Sequence, residues 1–173
     1  MNEVSSNRIL GIDPGYAITG WGLIEAKPVL KTTAYGAVTT MSGIPLEERL
    51  AVLFLELNEI IDLHSPDCAV VEKLFFSANK TTAEGVYEAR GVILLSLALK
   101  NIPVMELTPL KIKQCVAGSG RASKADVIRM VRRLLSIENK IKYDDTSDAL
   151  AGAIAGAFHL SSEKMYRAIK GKL

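Results

Sequence analysis

At 173 residues, 49% hydrophobic and 23% charged, the chain has the composition of a globular protein and enough length to bury a sizeable core in one domain, spanning 1–173. Two cysteines make no disulfide framework, and the longest apolar stretches, 91–99 and 149–160, are too short to cross a bilayer, which excludes a cystine-stapled or helical membrane protein. The net charge of +2 is unevenly spread: residues 1–99 carry −5 and residues 100–173 carry +7, a bias that points the second half toward an anionic partner such as nucleic acid.

Met1 to Arg8 is polar and lacks the apolar core of a secretory signal, so a cytoplasmic protein is expected. The run Ile9-Leu10-Gly11-Ile12-Asp13-Pro14-Gly15 then reads as a buried strand ending in an acid and a tight turn. A second strand, alternating from Trp21 to Ala26, pairs antiparallel with it, and Val29–Thr40 adds a third to the meander. Pro45 opens a helix whose leucines and isoleucines recur at helical spacing to about His64, with Glu47 and Glu48 at its positive end.

Cys68-Ala69-Val70-Val71 is a short continuous apolar run, as in a buried parallel strand, and it too ends in an acid, Glu72. A loop with Phe75 and Phe76 leads to a helix over Thr81–Lys100, apolar almost all round in its second half. Pro103–Leu107 reads as a further strand, and Thr108-Pro109 opens a short helix to Val116. The glycine-rich basic loop 117–124 contains Ser123, a cap for a helix reaching Leu135. The last main helix is expected from Asp144 to about His159, with Gly152 and Gly156 inside it, a cost of about 1 kcal/mol each that suits very close packing on a sheet. The polar, basic tail 161–173 is expected to be partly disordered.

This order predicts an α/β fold with a mixed five-stranded sheet, helices on both faces, and the fourth strand beside the first through a right-handed crossover. Asp13 and Glu72 then lie at neighbouring carboxyl-terminal strand ends, where ligands bind in such sheets. The final helix offers Asp144, Asp145 and Asp148, and either Asp144 or Asp145 can share a face with Asp148. Converging acids of this kind suit Mg²⁺, with Mn²⁺ as a substitute, and two ions roughly 3.5–4 Å apart can activate water and stabilise the leaving oxygen of a phosphodiester. Singly, Asp13 could cap its turn, and Asp144 and Asp145 could complement the helix dipole; the set from three elements is harder to account for that way.

Gly11-Ile12-Asp13-Pro14-Gly15 with Thr19-Gly20, Val71-Glu72-Lys73-Leu74-Phe75, Glu88-Ala89-Arg90-Gly91, Lys113 to Gly120, Lys124, and Asp145-Thr146-Ser147-Asp148-Ala149-Leu150 resemble, in order over roughly residues 8–160, the bacterial RuvC Holliday-junction resolvases. The resemblance implies a ribonuclease-H-like fold, a homodimer and Mg²⁺-dependent paired nicking of four-way junction DNA in recombination and repair, alongside a branch-migration helicase complex. It implies Asp13, Glu72, Asp145 and Asp148 as catalytic and metal-holding acids, choosing Asp145 over Asp144. Phe75 resembles the family's base-stacking aromatic, and Lys113 and Lys124 its phosphate-contacting lysines. Arg121, flanking the glycine-rich loop, is a further DNA-contact candidate.

Three other readings compete. The YqgF-type RNA-processing nucleases share the fold and a strand-end Asp. Actin-like ATPases carry a comparable Asp-x-Gly loop but need two copies of the fold. A catalytically silent junction-binding protein would have no need of four acids. The apolar excess of Val92, Leu95 and Leu99 offers the dimer interface that paired nicking requires.

Overall fold

The computed structural model describes residues 8–27, 29–74 and 80–170, with backbone alone at 80–83 and 163–170. Strands β1 (Arg8–Asp13), β2 (Ile18–Glu25) and β3 (Lys31–Thr39) form the antiparallel meander. Strand β4 (Cys68–Glu72) lies parallel to β1, and β5 (Val104–Leu107) parallel to β4, giving the order β3-β2-β1-β4-β5. The expected mixed five-stranded sheet is therefore present, with β1 at its centre.

Helices α1 (Leu46–His64) and α2 (Lys80–Leu99) cover one face; α3 (Pro109–Ala117), α4 (Lys124–Leu134) and α5 (Asp144–Lys170) cover the other. Their ends follow local chemistry. Thr108 accepts a hydrogen bond from the Lys111 amide at 3.2 Å ahead of Pro109. Ser123 and Asp126 close a capping box at the start of α4. Helix α5 runs past His159 to Lys170, because residues 161–170 contain no glycine or proline to stop it.

Two cores flank the sheet, and the strand period of two assigns side chains to them. On β1, Leu10 and Ile12 join Leu53, Leu57 and Ile93 beneath α1 and α2, whereas Ile9 joins Leu150 and Ile154 beneath α5. On β4, Ala69 and Val71 take the first side and Val70 the second. Continuing the alternation by one pleat puts Asp13 and Glu72 on the α5 side. The β1–β4 register pairs Ile12 with Val71, so the two acids occupy adjacent strand ends.

Helix α5 comes extremely close to the sheet. A Cβ at Gly156 would stand 2.5 Å from Val70, in keeping with the closeness that the helix glycines foretold. The strands contribute as much. A Cβ at Gly11 would run into the carbonyl of Ala149, and one at Gly20 into the carbonyl of Asp145. The first turn of α5 is also tied sideways, since the buried Thr146 hydroxyl donates to the Gly36 carbonyl of β3 at 2.8 Å.

Candidate active site

Four acids meet where β1, β4 and the start of α5 converge. Burial, and then the charges of Glu72, Asp148 and Asp145, push the Asp13 carboxyl up to about 8. Burial and the charge of Asp148 push Glu72 up to about 7, with Lys113 and Lys124 opposing. Asp148 is raised as well, chiefly by burial, against the hydrogen bond and charge of Lys124. A cleft of about 210 Å³ opens beside them, lined by Glu72, Asp148, Lys113 and Lys124 with apolar walls from Ile112 and Val127.

Asp144 and Asp145 separate here. Asp145 acts on Asp13, whereas Asp144 has a side chain 68% exposed and reaches outward to Lys124 at 3.5 Å. The Lys124 ammonium also sits 3.1 Å from Asp148. Burial disfavours that ammonium, but the hydrogen bond and charge of Asp148, joined by Asp144, outweigh it, and the lysine is raised. Lys124 thus pairs with both Asp144 and Asp148 from the first residue of the capped helix α4.

Lys113, on α3, lines the same cleft, while Arg121 lies exposed in the loop before α4, its amide bonded to the Ser119 hydroxyl at 3.2 Å. Phe75 and its rival Phe76 lie outside the described residues. The structure adds what the sequence did not signal: the strand glycines Gly11 and Gly20 that let α5 approach, and the Thr146 anchor. A glycine at alternate strand positions beneath a small-residue helix was the available clue.

The donor set is all oxygen, as a hard divalent cation prefers. Among the described residues no three acid, imidazole or thiol side chains stand close enough to share one ion as they are placed. The electrostatics nevertheless fit a cation: three of the acids are held protonation-prone by burial and mutual repulsion, and a positive charge among them would relieve both. Asp13, Glu72, Asp145 and Asp148 are the residues that could hold it.

Comparison with known proteins bears on the chain as a whole. The family model described as crossover junction endodeoxyribonuclease RuvC matches residues 9–156. The RuvC of Pelotomaculum thermopropionicum is 46% identical over 157 residues, 90% of this chain and 96% of its own, and that of Desulfitobacterium hafniense is 49% identical over 150 residues, 86% and 91%. Among solved structures, Thermus thermophilus RuvC in complex with Holliday junction substrate superimposes with a TM-score of 0.83 at 30% identity, covering 88% of this chain and 94% of that one. The yeast mitochondrial Holliday junction resolvase, at 16% identity and a TM-score of 0.70, shares the fold, which is the ribonuclease-H-like architecture that the sequence resemblance implied. On the extent of these matches, the chain belongs to the crossover junction endodeoxyribonuclease RuvC family.

Proposed function

We propose that this protein is a structure-selective endonuclease that resolves four-way DNA junctions by paired, symmetric, Mg²⁺-dependent phosphodiester hydrolysis, in DNA recombination and repair. The observation that carries the reading is the convergence of Asp13 and Glu72 from adjacent strand ends on the acids of α5, with pKa values driven up to about 8 and about 7.

Asp13, Glu72, Asp145 and Asp148 hold the divalent ions, two per site, with Mn²⁺ able to substitute. Bound there, such ions supply the charge that generates a nucleophile from water and stabilises the leaving oxygen. The chain's own residues do the rest. Asp13 and Glu72, fixed by the sheet, set the position of the scissile phosphate relative to the α5 acids. Lys113 and Lys124 line the cleft and neutralise the phosphates entering it, and the exposed Arg121 in the loop before α4 adds a further phosphate contact. Phe75 stacks on bases near the cut.

Two opposed nicks require two sites of fixed spacing, which a two-fold homodimer provides. Helix α2 supplies the apolar surface: Leu95 and Leu99 are 53% and 61% exposed, while Val92 turns partly into the core. A branch-migration helicase complex is the further partner. Among the described residues no helix is long and apolar enough to cross a membrane.

The test is incubation with a synthetic mobile four-way junction and Mg²⁺, mapping nicks on all four strands. Symmetric nicks in one opposed pair of strands are expected. Cleavage of structured RNA with the junction left intact would favour the RNA-processing nucleases of the same fold instead.

A further inference from the structure

The turn after Asp13 is tied at three successive carbonyls. The Thr19 hydroxyl donates to Gly15, the Thr40 hydroxyl to Tyr16 at 2.6 Å, and the Thr40 amide to Ala17 at 3.1 Å. The Thr40 hydroxyl in turn accepts from Arg49 Nε of α1 at 2.8 Å, and the Arg49 guanidinium lies 4.5 Å from the centre of the Tyr16 ring. The ring's other neighbour is α2: a Cβ at Gly85 would stand 2.8 Å from Tyr16 Cδ1. A cavity of about 370 Å³ lies beside this cluster, lined by Tyr16, Arg49, Glu84 and Glu88.

We infer that Tyr16 is a positioning residue for the cleavage reaction: clamped between Arg49 and Gly85, its ring fixes the Asp13 turn against α1 and α2. The inference rests on the reading of Asp13 as a catalytic acid. Tyr16 itself touches no reacting atom; its effect passes along the turn that leads back to Asp13. It joins the site to α2, the helix that exposes Leu95 and Leu99.

The experiment measures single-turnover cleavage of a synthetic junction in Mg²⁺, and junction affinity separately in Ca²⁺. Tyr16→Ala and Arg49→Met should each slow cleavage about tenfold or more with affinity unchanged, since small misplacements of catalytic groups carry losses of that size. Tyr16→Phe, which keeps the ring, should cleave at the wild-type rate. Should Tyr16→Ala fold poorly, Gly85→Ala serves: its methyl group presses on the ring and should give the same slow cleavage at unchanged affinity. Wild-type rates in Tyr16→Ala or Gly85→Ala, alongside a dead Asp13→Asn, overturn the positioning role, as does a Tyr16→Phe as slow as Tyr16→Ala. An active Asp13→Asn overturns the assignment of the acid itself.

Discussion

An acid at the end of a buried strand carries its own electrostatic signature. Folded Asp13 titrates near 8 against an ordinary 3.8, and Glu72 near 7 against 4.5. The unfolded chain therefore gives up these protons first, and metal-free stability must fall as pH rises from about 4 through about 8. In chelator, Asp13→Asn should raise the melting temperature at pH 8 and much less at pH 5; equal gains at both would show that the folded carboxyl is not held protonated. Under cleavage conditions Asp13→Asn, Glu72→Gln, Asp145→Asn and Asp148→Asn should each abolish cutting while junction binding persists, and Asp144→Asn should stay active. A dead Asp144→Asn beside an active Asp145→Asn would move the assignment by one residue. Asp13 and Glu72 were legible because a carboxylate closing a buried apolar run is costly unless a cation or hydrogen bonds compensate it. The choice between Asp144 and Asp145 was not, since both are compatible with Asp148 on one helix face; burial beside Asp13 separates them only in three dimensions.

Among the elements, α5 shows most directly how packing makes the site. Its two acids reach Asp13 because Gly11 and Gly20 remove the side chains that would hold the helix off the sheet. Gly11→Ala places a methyl group on the Ala149 carbonyl and 2.8 Å from the Ala153 amide nitrogen, both backbone atoms that cannot swing aside. Overpacking of this kind costs about 3 kcal/mol. A chemical-denaturation midpoint near wild type for Gly11→Ala would mean that α5 can ride higher without loss. The sequence displayed the helix half of this close approach in Gly152 and Gly156, but a glycine inside a strand is equally a sign of a bulge or a weak edge, so the strand half stayed hidden. The reach of α5 to Lys170 was hidden too, because a polar, basic tail suggests disorder even where no helix breaker interrupts it.

For the whole molecule, the place of the fourth strand beside the first followed from the handedness of crossovers, the sidedness of the two cores emerged only in the fold, and the proposed dimer was signalled only by the apolar excess of Val92, Leu95 and Leu99. Leu95→Glu should shift the protein toward monomer in sedimentation and reduce paired nicking more than junction binding; a variant that stays dimeric places the interface elsewhere. The basic half makes a separate prediction. Neutralising Lys113, Arg121 and Lys124 together should flatten the salt dependence of junction binding by about 0.9 in log–log slope for each phosphate no longer neutralised. An unchanged slope would show that these charges only solvate the surface.

The central place of β1 in the sheet has a consequence for how the protein comes into being. Asp13 is made early, but its neighbour Glu72 arrives only with β4, and Asp145 and Asp148 come with α5, after every strand has been synthesised. Chains emerge from the ribosome at ~5–20 residues per second and fold as domains. The four acids therefore cannot assemble on a nascent chain that has not yet released α5. On the proposed assignment of these acids, the enzyme is in this way unarmed throughout most of its own translation, and a message truncated before α5 should yield no partial nuclease.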